Sequence, residues 1–164
     1  VVNFKTRIHS LAHYTCYSLI DFLLKADCYK KEAHMLTDEM REFLQKTLIA
    51  RMATIDPKGY PHVVPVWFML DGDDIVVTSM QKTRKNGHIK NNTKGALTVG
   101  GQPGDGAGYL FKGDWVLEDD SDNAWLMKLA VRYEGQEQAE KDVAVWGKEV
   151  SDLLRLKIKR AVRV

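Results

Sequence analysis

The stretch Thr78-Ser79-Met80-Gln81-Lys82-Thr83-Arg84-Lys85 sets two hydroxyls at the end of an apolar run, then three cations and a further hydroxyl at the start of what reads as a helix. Helix-start N–H groups, hydroxyl donors and an Arg-Lys pair together answer the many acceptor sites of a phosphate dianion. Bonds to a charged acceptor are also stronger than neutral ones. Composition alone favours a plainer reading, a solvated basic loop, because charge runs usually face water. The phosphate reading gains weight from what stands beside it.

Arg51 lies in the otherwise apolar run Ile49-Ala50-Arg51-Met52-Ala53-Thr54-Ile55. A cation there needs water or a partner: an anionic ring edge or phosphate on one reading, solvent on the outer face of a strand on the other. The next run, Pro61-His62-Val63-Val64-Pro65-Val66-Trp67-Phe68, offers backbone groups and a flat apolar wall to a planar ring, although core packing is the commoner role for Trp67 and Phe68. Histidine is a common proton carrier, which invites a catalytic reading of His62 and His88, yet a half-buried structural role is the usual one for histidine. No catalytic residue and no metal site is assigned. Metalloprotease, Walker, dinucleotide-binding and serine-elbow patterns are all missing from the sequence.

The elements that must position these residues read as a mainly β, α+β domain over 35–164. Thr37 caps a helix predicted over Thr37–Lys46, with Asp38 and Glu39 in its positive first turn and Met40, Phe43 and Leu44 inward. Strands are predicted at Ile49–Ile55, at His62–Leu70 as one long strand with Pro65 marking an edge or bulge, and at Ile75–Ser79, following one another as a meander. A short helix over Thr83–Asn91, weakened by Gly87, precedes a strand at Ala96–Val99. The loop Gly100–Gly108 holds five glycines and leads into a strand at Tyr109–Leu117. Ser121 reads as the cap of a helix carrying Trp125, Leu126, Leu129 and Tyr133, and a second helix covers Glu137–Trp146. Period-two alternation through Leu154, Leu156, Ile158, Val162 and Val164 ends the chain as a strand. About six antiparallel strands with helices between them suit a closed or partly closed barrel, which leaves few exposed edges.

With 164 residues, 45% of them hydrophobic, the chain has the length of one ordinary domain. A balance of 24 Lys+Arg against 22 Asp+Glu leaves a charge of only +2, so nothing global points to nucleic acid or an anionic membrane. Residues 1–34 form either an amphipathic helix, with Leu11, Thr15, Leu19, Phe22, Leu23 and Ala26 on one face, or a loosely attached extension. The apolar run Leu11–Leu24 is interrupted by His13 and Asp21 and falls short of the ~20 residues that span a bilayer. It also lacks the shape of an export signal. Cys16 and Cys28 suggest neither a disulfide framework nor a zinc site, which makes a reducing cytoplasm the simpler expectation.

The run Arg51 to Phe68, then Thr83-Arg84-Lys85, His88-Ile89-Lys90-Asn91-Asn92, Ala96-Leu97-Thr98-Val99, Phe111-Lys112-Gly113 and Arg132-Tyr133-Glu134-Gly135, closely resembles the pyridoxamine-phosphate-oxidase-like, flavin-binding split-barrel family. The resemblance implies a split β-barrel, a homodimer with FMN at its interface and a small-molecule substrate. By position it implies that Arg51, Met52, Ala53, Thr54 and Ile55, with Thr78 and Ser79, line the cofactor site. Thr83 belongs to the same cofactor-binding set, Arg84 and Lys85 would grip the phosphate, and Val64, Pro65, Val66 and Trp67 would support the isoalloxazine. A deazaflavin coenzyme in place of FMN is the near alternative, with Lys58, Lys82 and Lys112 available to its acidic tail. A non-catalytic flavin or haem carrier or sensor on the same barrel is the alternative of another class. The sequence departs from the family pattern at Gly87, at His88 where the family has Asn, and at Asn92-Thr93 where it has Asn-Pro. It also has no histidine after His88, so oxidation of a B6 vitamer is not expected.

Overall fold

The computed structural model describes residues 35–164, so the readings made on residues 1–34 lie outside the described residues. Among the described residues four helices and seven strands follow one another. They are α1 (Asp38–Leu44), β1 (Ala50–Ile55), β2 (Pro61–Val66), β3 (Met69–Asp71), β4 (Asp74–Met80), α2 (Arg84–Asn91), β5 (Lys94–Gly100), β6 (Gly108–Asp119), α3 (Ala124–Glu134), α4 (Gln136–Trp146) and β7 (Ser151–Arg163). The strands form one antiparallel sheet in the order β2-β1-β5-β6-β7-β4-β3.

Chain connectivity makes this sheet a barrel. Only Trp67 and Phe68 separate β2 from β3, which are the two edges of the sheet. Three Cα steps reach at most ~11 Å, whereas the edges of a flat sheet of this width would stand roughly 29 Å apart at the usual strand spacing. The sheet must curl until its edges nearly meet, giving a split barrel. The expected single strand His62–Leu70 is therefore two strands on opposite edges, and the expected meander does not exist. A run of β-forming residues does not reveal that Phe68, fully buried, turns the chain inward between them. Pro65 does sit on an edge strand, as its missing N–H requires.

The barrel interior is filled by alternate residues. In β1, Ala50, Met52 and Thr54 are buried while Arg51 faces out. Phe68, Val77, Leu97, Phe111, Trp115, Leu154 and Leu156 continue the same core, each large aliphatic adding roughly 1.5–3 kcal/mol by its burial. Phe43 and Leu44 of α1 close one end, with the Thr37 hydroxyl accepting the Met40 N–H at 3.2 Å as the cap.

The helical pair between β6 and β7 is divided by Gly135, whose φ of +82° favours glycine. Ser121 does not cap α3: its hydroxyl turns back to the Asp119 carboxylate at 2.6 Å. The carboxylate of buried Asp120 instead accepts the N–H groups of Trp125 at 2.8 Å and Leu126 at 3.1 Å. Burial raises the Asp120 pKa above the ordinary carboxylate value, against the pull of these two donors. From the other end of α3, Arg132 donates to the carbonyls of Leu44 (2.9 Å) and Lys46 (3.0 Å). The Tyr133 hydroxyl donates to Leu48 O at 2.8 Å and accepts the Phe68 N–H at 3.1 Å. The Arg132-Tyr133 pair thus fastens α3 to the end of α1 and to the joint between the two sheet edges.

Candidate functional site

β4 ends beside the start of α2, and a cavity of about 220 Å³ opens there. Thr78, Ser79 and Thr83 line it with Lys85, and Ser151 adds a fourth hydroxyl residue from β7. Leu126 of α3 and Trp146 of α4 form an apolar wall. α2 begins without a side-chain cap, and the N–H groups of Arg84, Lys85 and Asn86 have no partner among the described residues. Three orphan donors at the positive end of a helix, beside a cation, make a place for an anion. Lys85 is half-buried and makes no ion pair among the described residues, and burial lowers its pKa from the ordinary 10.5. Arg84 is exposed and does not line the cavity.

Behind the cavity runs a chain of hydrogen bonds. Ser79 and Thr83 hydroxyls are 2.8 Å apart, Thr83 donates to Asn86 Oδ1 at 2.8 Å, and Asn86 Nδ2 donates to Asp152 Oδ2 at 2.8 Å. Gln81 Nε2 reaches the other Asp152 oxygen, also at 2.8 Å. Asn86 and Asp152 are both buried. Sequence reading missed them. Asn86 carried a signal, a polar residue three positions after the Thr83 hydroxyl in the same short stretch, but Asp152 is joined to it across 66 residues and had none.

The other expected residues distribute over three places. Arg51 and Pro65 are cross-strand partners on the outer face, and Pro65, Val66 and Trp67 with Ile49 line a groove of about 340 Å³. One face of Trp67 is taken by Tyr133, stacked at 4.9 Å between ring centres and 10° between planes, with Trp146 6.0 Å away. Met52 is fully enclosed in the core, against which Val64 packs, and Ala53 is half-buried. The Thr54 hydroxyl is engaged with His88 Nδ1 of α2 at 3.1 Å, and the His88 ring stands edge-on to His62 at 5.2 Å. His88 therefore ties α2 to β1.

The comparisons with known proteins agree with this architecture. The family model described as pyridoxamine 5'-phosphate oxidase matches residues 36–157. Among solved structures, an F420 reductase superposes with a TM-score of 0.63 at 22% identity, over 77% of this chain and 98% of its own. A conserved hypothetical protein from Mycobacterium tuberculosis does so with 0.64 at 17% identity, over 82% and 88%. The General Stress Protein 26 from Bacillus anthracis gives 0.57 at 15%, over 75% and 88%. At these identities the structures attest the fold alone. No curated protein sequence matches. With the family model spanning α1 to β7 and the split barrel it requires present in the structure, the chain belongs to the pyridoxamine 5'-phosphate oxidase family.

Proposed function

We propose that this protein binds a flavin-type cofactor, FMN in the first place, by its phosphate in the cavity between β4 and α2. As a cytoplasmic homodimer it would exchange hydride or electrons between that cofactor and a small organic substrate or a reduced nicotinamide. The observation that carries the reading is the conjunction, around one cavity, of hydroxyls with helix-start N–H groups and a half-buried lysine that have no partner among the described residues. Such a set suits a phosphate better than a neutral ligand, because desolvating Lys85 is unfavourable until an anion arrives. The cavity takes the phosphate end only. A ring system would extend over the groove at Pro65, Val66 and Trp67, with Arg51 at its margin. The cofactor supplies the redox chemistry, so no acid or base in the protein is required.

The likeness to an F420 reductase favours the deazaflavin coenzyme as a second reading, since that coenzyme would use the same phosphate contacts. The dimer would use the outer face of β2, β1 and β5, where Val63 (57% exposed) sits beside Ala53 and Ala96. Exposed apolar residues on a sheet face suit a partner surface.

An absorbance titration of the full chain with FMN, repeated with the deazaflavin coenzyme, tests the reading. We expect a saturable, spectrally shifted complex that Arg84→Ala/Lys85→Ala weakens by at least about tenfold, the scale of one charge-assisted hydrogen bond. Absence of a complex with either cofactor would sink the reading. A flavin complex that is never reduced by NADH or NADPH would move the protein to the carriers and sensors, haem binding included.

A further inference from the structure

Both oxygens of the buried Asp152 carboxylate can only accept, and both are met by amide N–H groups, from Asn86 and from Gln81. This fixes the Asn86 amide: its Nδ2 faces Asp152, so its Oδ1 faces Thr83. The single hydroxyl proton of Thr83 is then committed to Asn86 Oδ1. At the 2.8 Å contact between Ser79 and Thr83, only Ser79 is left to donate. The second direction open to Ser79, its contact with Met80 O at 3.2 Å, is also inside the protein. The donors thus run one way, Ser79 to Thr83 to Asn86 to Asp152.

We propose that Asn86, anchored by Asp152, is a positioning residue that turns the hydroxyl protons of Ser79 and Thr83 away from the cavity and so holds down its affinity for phosphate. This rests on the phosphate-cradle reading above and deepens it. Two hydroxyls that would be counted as phosphate donors present lone pairs instead, leaving the helix-start N–H groups and Lys85 as the donors available without rearrangement. A phosphate that uses Ser79 must first break its 2.8 Å bond to Thr83. The consequence is a cofactor that exchanges with solution rather than one that stays resident. Because binding and relay share Ser79, an occupied site also loosens the chain that reaches Asp152 in β7.

The test is direct binding of FMN and of riboflavin, which lacks the phosphate, to the full chain and two variants. In Asn86→Leu, of similar volume, the Thr83 proton loses its acceptor and becomes available to the cavity. FMN should bind several-fold to about tenfold more tightly, the range of one hydrogen bond to a charged group, with riboflavin unchanged. Thr83→Val removes the 2.8 Å bond that a phosphate must otherwise break to use Ser79, so FMN affinity should rise there too. Thr83 makes no side-chain cap bond to α2, so the helix start is not lost with it. A merely structural role for Asn86 moves affinity the other way. The proposal is overturned if Asn86→Leu leaves FMN affinity unchanged or lowers it, or if Thr83→Val fails to raise it. Inorganic phosphate, competed against FMN, separates the two failures. If the natural chain binds FMN and phosphate but the variants do not shift as stated, only the relay fails; if no form binds either, the functional reading and the relay fall together.

Discussion

Lys85 is the residue at which the functional reading is most exposed to measurement. Burial lowers its pKa in the free protein, and a bound phosphate would restore the protonated form. Affinity is then full while Lys85 is protonated without help, and it falls as pH rises through the lowered value, which lies below 10.5. We expect FMN affinity to decline on the alkaline side in the natural chain and to stay flat there in Lys85→Arg, whose guanidinium does not titrate in this range. A pH series of FMN titrations checks this, and identical profiles for the two proteins would remove Lys85 from the phosphate contacts. The residues around it were unequally legible. Thr78, Ser79, Thr83 and Lys85 lie within one eight-residue stretch, and that nearness displays their chemistry. Ser151, Trp146 and Leu126 come from β7, α4 and α3, and only the closing of the barrel brings them to the same cavity. Arg84 carries the same charge as Lys85 but stands exposed beside the cavity rather than in it, a difference set by one step of helix rotation.

At the scale of the element, the start of α3 shows how capping can shift by one residue without loss. Asn123 holds a left-handed φ of 58°, and this turn swings the Asp120 carboxylate under the first helical N–H groups. Asp120→Ala should destabilise the fold by roughly 1–2 kcal/mol, the usual cost of a lost cap, read as a lowered urea midpoint at unchanged slope. Ser121→Ala should be close to neutral, since its only side-chain partner among the described residues is the exposed Asp119. Sequence reading favoured Ser121 because residue type was its only guide, and the deciding quantity was a backbone angle. The strand pair β5·β6 holds a second such case. Gly95 stands opposite Gly113, and a Cβ at Gly95 would fall 2.1 Å from Trp115 Nε1 and 2.7 Å from Ala53 O. Gly95→Ala should therefore cost about 2–3 kcal/mol through overpacking, measurable by chemical denaturation. A near-neutral result would mean that the buried indole can move.

At the scale of the molecule, the proposed homodimer makes one surface decisive. Val63 points outward from edge strand β2 among small residues of β1 and β5, so Val63→Asp should split the dimer in sedimentation velocity and weaken FMN binding with it. A monomer that keeps full FMN affinity would show that the cofactor site is complete in one chain. The barrel itself was legible as a class, from strand-length apolar runs, turn residues and alternation. Its strand order was not, because the joint at Trp67-Phe68 reads locally as more of the same strand. What locks that joint is Tyr133, far along the chain, through bonds to Leu48 and Phe68.

The order β2-β1-β5-β6-β7-β4-β3 also carries a consequence for how the protein is made. Every pairing on one side, β2 with β1, β1 with β5 and β5 with β6, and the hairpin β3·β4 on the other, can form before β7 exists. β7 alone bridges the two pieces, through β6 and through β4. A nascent chain leaving the ribosome therefore carries two sheet fragments with open edges, and its hydrophobic interior remains unsealed until residues 151–163 emerge. Synthesis runs from the first strand towards that bridge, so the window of vulnerability to aggregation lasts from the emergence of β1 to that of β7, and its length is set by the position of one strand.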